Sequence, residues 1–211
     1  MSTKIEINNM FLQIDRTLMT VKTGIDLYNE NDLQKKDAGL RNAIVFGRAV
    51  TNALQKLRGI VDKENFNLWY AEWQNKMKND FGMHQLYKMR SQILKEGILD
   101  ANQGISIDYL GPDNLADAWK LAPPGSEGFF IGDQNGGSGF HVRTPDGKVE
   151  VYYISLPKTI VVNQILEIKE LPSYTTNDGR VIKNTSQLLE YYYQFLAIMI
   201  NDAKLKFLFQ Q

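Results

Sequence analysis

Arg90 is the residue whose chemistry demands most of its surroundings. In the run Tyr87-Lys88-Met89-Arg90-Ser91-Gln92-Ile93-Leu94-Lys95 it shares a helical row with Leu86, Ile93 and Leu94. That row carries its guanidinium toward apolar neighbours, where it cannot shed its charge. It therefore needs a carboxylate or another anion close by. One reading is a structural ion pair with Glu72, Glu190 or Asp202. The other is a phosphate site, for which His84, six residues earlier, and Lys95, five residues later, are the nearest groups able to move a proton or neutralise charge. An imidazole serves as general acid or base near neutral pH, whereas an ammonium holds phosphate but is a poor base. Arg90 with His84 or Lys95 would make a metal-independent ribonuclease site.

Two further clusters point to binding rather than catalysis. The segment Gly132-Asp133-Gln134-Asn135-Gly136-Gly137-Ser138-Gly139 is of the kind whose backbone N–H groups can cradle phosphate. It lacks the Lys-Ser/Thr ending of a P-loop, and strand-like sequence follows it. A hairpin loop that touches a partner through Gly136, Gly137 and Ser138 is the expectation. Three consecutive tyrosines, Tyr191-Tyr192-Tyr193, fan over about 200° of a helix. They cannot all face one core, so Tyr191 and Tyr193 are expected at an interface, where tyrosine is enriched. Two distant histidines, His84 and His141, and the absence of cysteine exclude disulfides and argue against zinc. No metal set or cofactor motif is expected. Arg41 and Arg48, with Lys35, Lys36, Lys56 and Arg58 and the interspersed Asp32, Asp37 and Asp62, read as a solvated helix face.

A helical bundle carrying Arg90-Ser91-Gln92-Ile93-Leu94-Lys95 resembles the HEPN superfamily, small four-helix proteins that include RNases of toxin–antitoxin and phage-defence systems. The resemblance covers the helical half of the chain. It implies that the arginine holds a scissile phosphate while a histidine assists proton transfer, in a cleft shared by two protomers. Here Lys95 stands where the family has histidine. Positions five apart on a helix also diverge by about 140°, so Arg90 and Lys95 would converge only across a dimer groove. The resemblance thus implies a degenerate, non-catalytic binding protein for a protein or RNA partner, in a bacterial or phage-related regulatory or defence setting.

The elements that must position these residues follow from periodicity. Apolar residues at Ile7, Met10, Phe11, Ile14, Leu18 and Val21 predict a helix over 5–28. Leu40, Ala43, Gly47, Val50, Leu54, Leu57 and Val61 predict a second, started by Asp32 or Asp37. Phe66, Trp69, Trp73, Met77, Leu86 and Met89 predict a third from Asn65 to Gly97, with a kink or cap signalled by Asn79-Asp80 followed by Gly82. After Gly97 come Gly- and Pro-punctuated text, a short helical piece over 115–121, and three strand-like runs, GFFIGD, GFHVRT and KVEVYYISLP, with a hairpin turn at Pro145-Asp146-Gly147. A last helix starts at Thr185-Ser186 and ends near Phe207.

The expected fold is therefore α+β and predominantly helical. It is an antiparallel four-helix bundle (1–97 and 185–211) with a small antiparallel β insert (98–184), all in one composite domain. Lys plus Arg equals Asp plus Glu at 24 each, which removes the global basic signature of a nucleic-acid binder without forbidding a local site. The opening MSTKIEINNM reads as no secretory signal, and no apolar run approaches a membrane span. A cytoplasmic protein that binds a protein or RNA partner, or associates with itself as a dimer or structural domain, is the expectation.

Overall fold

Helix α1 (Ser2–Asn29) turns Ile7, Phe11, Ile14, Leu18, Val21 and Ile25 inward at alternating steps of four and three. That spacing keeps one narrow stripe on the core side for the helix's whole length. The structure, a computed structural model, describes residues 2–133 and 136–209. α2 (Leu33–Lys56) starts where the Asp32 side chain accepts the Lys35 N–H at 2.9 Å and runs into a 3-10 turn, Leu57–Gly59. α1 and α2 meet at Gly24 and Gly39, where an added Cβ at Gly24 would stand 2.8 Å from the Ala43 nitrogen and the Gly39 oxygen. Only glycine permits that approach.

The expected long third helix is two helices, α3 (Lys63–Lys78) and α4 (Phe81–Glu96). The break falls at Asn79-Asp80, the polar pair expected with Gly82 to mark a kink or cap. Asn79 closes α3 and Asp80 caps α4, accepting the Met83 N–H at 2.9 Å, as an N-cap aspartate does. Gly82 lies inside the first turn of α4, buried against the Tyr174 ring and the Leu188 side chain. Gly97, left-handed at φ 70°, stops α4 as expected. α6 (Thr185–Phe207) is capped by Asn184, one residue before the expected pair, through the Gln187 N–H at 2.9 Å.

Between α4 and α6 lie β1 (Ala101–Ile107), α5 (Pro112–Trp119), β2 (Ser126–Ile131), β3 (Ser138–Arg143), β4 (Val149–Tyr153), β5 (Val162–Ile168), β6 (Tyr174–Thr175) and β7 (Val181–Ile182). β2-β3-β4 form an antiparallel sheet with Phe129 opposite Phe140 and Phe140 opposite Tyr152. β6 and β7 form a hairpin, and β1 pairs with β5. The Pro145-Asp146-Gly147 turn closes with the Thr144 N–H on the Lys148 carbonyl at 2.9 Å and Gly147 at φ 86°. β1 had no counterpart in the sequence reading.

The chain divides into two compact units, Met1–Asn102 with Leu166–Gln211, and Gln103–Ile165. The first holds α1, α2, α3, α4 and α6, and also takes β6 and β7, which the sequence reading assigned to the insert. The second has its own small core, in which Trp119 of α5 meets the buried Phe140 edge-on at 5.1 Å. The architecture is α+β with helices dominant. Among the described residues, no helix is long and apolar enough to cross a membrane.

In the helical unit the tryptophans of α3 anchor the core. Trp69 and Trp73 both donate their indole N–H to one oxygen of Asp202 on α6, at 2.7 and 2.9 Å. Phe207 packs against Phe66 and Trp69. Charge-assisted bonds of this kind contribute roughly 1.5–3 kcal/mol each, which fixes α3 on α6 and so sets where the end of α3 lies.

Candidate functional site

The tail of α3 contributes Gln74, Met77 and Lys78 to a cavity of about 390 Å³ in the helical unit. From α2 come Ile44, Arg48 and Thr51, and from α4 come Met83, His84, Leu86, Tyr87 and Arg90, both sets at steps of three and four. Tyr192 of α6 completes the lining. Ile44, Thr51, Met83, Leu86 and Tyr192 are buried and form the inner wall, while Gln74, Lys78, His84 and Tyr87 are exposed and stand at the mouth. Arg48 and Arg90 are half-buried between the two layers.

None of the carboxylates expected to pair with Arg90 does so. Asp202 is occupied by the two indoles, Glu190 accepts the Gln194 amide at 3.0 Å, and Glu72 is exposed. Among the described residues Arg90 has no ion-pair partner, and its Nε is buried with no hydrogen-bond partner. The lining carries three fixed positive charges, Arg48, Lys78 and Arg90, with one histidine and no carboxylate. Asp80, between the lining residues Lys78 and Met83, is buried and directed elsewhere, accepting from the Met83 N–H and the Tyr191 hydroxyl, each at 2.9 Å.

Electrostatics at the floor agree with this. Burial pushes the Tyr192 phenol well above its ordinary range, while Arg48 and Arg90 both pull it down. Two guanidinium groups therefore act on one hydroxyl from different helices. Arg48 donates to the Thr51 hydroxyl at 3.0 Å and has donors to spare. Its guanidinium carbon lies 6.0 Å from the centre of the Tyr87 ring, within reach of a cation–π attraction. Low local dielectric strengthens whatever anion enters such a site.

The sequence-expected residues divide sharply. Arg90 and His84 line the same cavity, whereas Lys95 is exposed in the last turn of α4 and outside the lining. Tyr191 is buried with its hydroxyl on Asp80, so its place is in the core. Tyr193 is half-buried against the core, with Lys22 at 6.0 Å from its ring. In the glycine-rich loop, the Gly136 N–H donates to the Asp133 carbonyl at 2.9 Å and the Gly137 N–H to the Asp133 carboxylate at 2.8 Å. The Ser138 hydroxyl accepts the Gly132 N–H at 3.3 Å. These amides serve the loop itself, and Gln134 and Asn135 lie outside the described residues. His141 is exposed on β3 beside Phe130, at 5.1 Å between rings. Among the described residues no cluster of His, Asp and Glu could hold a metal ion.

Arg48 is the main residue that sequence reasoning missed. It was read with Arg41 as part of a solvated face, and Arg41 does behave so, bonding Asp37 and the Gly97 carbonyl. Arg48 instead enters the cavity. The available signal was its position one turn after Ile44 and beside Gly47, where α2 is smallest.

Residues 26–113 match the model of a family described as bacteriophage lambda protein ea47. The match covers less than half of the chain, from the end of α1 to the start of α5, and includes every lining residue except Tyr192. No curated protein and no solved structure matches the chain.

Proposed function

We propose that this protein binds RNA, holding a phosphate group on Arg90 and Arg48 in the cavity of the helical unit. The observation that carries the reading is Arg90 itself: a half-buried guanidinium with no anion beside it among the described residues, open to a cavity whose lining holds no carboxylate and that a second arginine shares. A phosphate matches the forked donors of arginine better than it matches lysine. The reading keeps the likeness to an HEPN bundle, with Lys95 rather than histidine at the family position and hence a binding rather than a cleaving role. The similarity of residues 26–113 to a bacteriophage family supports a phage-related setting.

The test is binding of a short single-stranded RNA, followed by fluorescence anisotropy across a salt series. Each phosphate contact to a single strand contributes a slope of about −0.7 in log affinity against log salt. Arg90→Gln should lower affinity at least tenfold and flatten the slope by about that amount. Equal binding by wild type and variant would refute the proposal.

A second reading is favoured by one specific observation, the presence of His84 in the same cavity as Arg90. A metal-independent ribonuclease would then use His84 for proton transfer and Arg90 for the phosphate. Incubation with tRNA in a chelator should give cleavage that His84→Ala abolishes while binding persists. Intact RNA after prolonged incubation would exclude this reading and leave the binding role standing.

A further inference from the structure

We infer that the cavity receives the phosphorylated end of an RNA strand, with the terminal phosphomonoester between Arg48 and Arg90 and the terminal base against Tyr87. The inference rests on the RNA-binding reading above and narrows it to one kind of ligand.

Shape is the first reason. The inner wall of the cavity is made of buried side chains from α2, α4 and α6, among them Thr51 at 2% and Leu86 at 2% exposure. A strand that enters therefore meets a floor and must end there or turn back. At about 390 Å³ the space lies at the small-ligand end of the pocket range, roughly 300–1,000 Å³. One nucleotide suits that volume, and a looped strand does not.

Charge is the second. An internal phosphodiester carries a single negative charge, whereas a terminal phosphomonoester carries about −1.5 to −2 near neutral pH and three acceptor oxygens. The lining supplies Arg48 and Arg90, half-buried between the inner wall and the mouth, and Lys78 at the mouth, with no carboxylate to compete. A dianion is what two converging guanidinium groups can hold without leaving one of them unmatched.

Tyr87 supplies the third. It is 56% exposed, it precedes Arg90 by three residues on α4, and its ring lies 6.0 Å from the Arg48 guanidinium carbon. The ring thus stands at the mouth, next to the phosphate-binding groups, where a base joined to that phosphate could stack. Stacking on an aromatic ring is tolerant of base identity, so the end is recognised by its phosphate and its flat base rather than by sequence.

The experiment compares RNA oligonucleotides of one sequence bearing a 5′-phosphate, a 3′-phosphate or hydroxyls at both ends, with adenosine monophosphate and inorganic phosphate as further probes. One phosphorylated end should bind at least tenfold more tightly than the hydroxyl-ended strand, and Arg90→Gln should erase that difference. Tyr87→Ala should weaken the phosphorylated strand severalfold while leaving competition by inorganic phosphate unchanged. Circular dichroism of each variant confirms folding. Equal binding of phosphorylated and hydroxyl-ended strands overturns the inference but leaves RNA binding intact. Binding of the mononucleotide with no oligonucleotide bound overturns both, in favour of a free nucleotide.

Discussion

Replacing Arg90 by methionine should make the ligand-free protein more stable and the ligand-bound protein relatively less so. Arg90 Nε is buried without a partner, and an unsatisfied buried donor costs about 1–3 kcal/mol. Methionine keeps an unbranched stem of similar reach, and volume-conserving exchanges cost under about 1.5 kcal/mol. The net expectation is a gain of about 1–2 kcal/mol, or roughly 2–8 °C in Tm for a chain of this size. Had Arg90 been one half of a buried ion pair, its removal would instead cost about 3–5 kcal/mol. The sign therefore separates the two roles. Urea and thermal unfolding, followed by the fluorescence of Trp69 and Trp73, measure it. Added RNA bearing the preferred phosphorylated end, at a hundredfold excess over Kd, should stabilise wild type by about 2.7 kcal/mol and the variant hardly at all, which inverts their order. A variant less stable than wild type by more than 1 kcal/mol, without ligand, would refute the reasoning.

Three other outcomes follow from the same geometry. Asp202→Ala removes the acceptor of both indole N–H groups and should cost about 3–5 kcal/mol in urea unfolding; Asp202→Asn, which keeps an oxygen, should cost less. Gly47→Ala places a Cβ 2.5 Å from the Tyr192 ring carbon that bears the hydroxyl. It should lose about 1–2 kcal/mol net of the helix preference for alanine and weaken RNA binding, and unchanged values for both would show that the ring yields freely. Burial, and then the charge of Glu167, push the Tyr28 hydroxyl up to about 12, while the unfolded chain ionises near 10. Between those values the unfolded state loses its proton first, so stability present below pH 10 falls as pH rises toward 12, by about 2–3 kcal/mol. Tyr28→Phe should flatten that alkaline slope in denaturation curves measured at successive pH values.

Part of the architecture was legible because helix periodicity is a local property. The inward stripe of α1 and the apolar row of α2 were visible as spacings of three and four. The tyrosine triplet was expected to place Tyr191 and Tyr193 at an interface, but Tyr191 and Tyr192 are buried and Tyr193 is half-buried against the same core. The break in the expected third helix falls at Asn79-Asp80, within the signal of Asn79-Asp80 and Gly82, but Gly82 itself is not the breaker. Its actual role is to admit Tyr174, which arrives from the β6–β7 hairpin, and no local pattern records that neighbour. The glycine-rich loop was read as able to offer its amides outward, but Asp133 within the loop takes them.

By itself the sequence determined most of the helices, their apolar faces and the presence of a charged residue, Arg90, on one of those faces. Each depends on neighbours within a turn or two along the chain. Whether Arg90 meets a carboxylate or an opening was decided only by tertiary structure. The two indoles of α3 claim Asp202, Asp80 turns to Tyr191, and Arg48 and Tyr192 come in from helices distant along the chain. A cavity is a place where the faces of non-neighbouring helices fail to fill the space between them. Its lining is set by how whole helices pack, so the residue that asks for an anion could be named from the sequence while the site that would hold one could not.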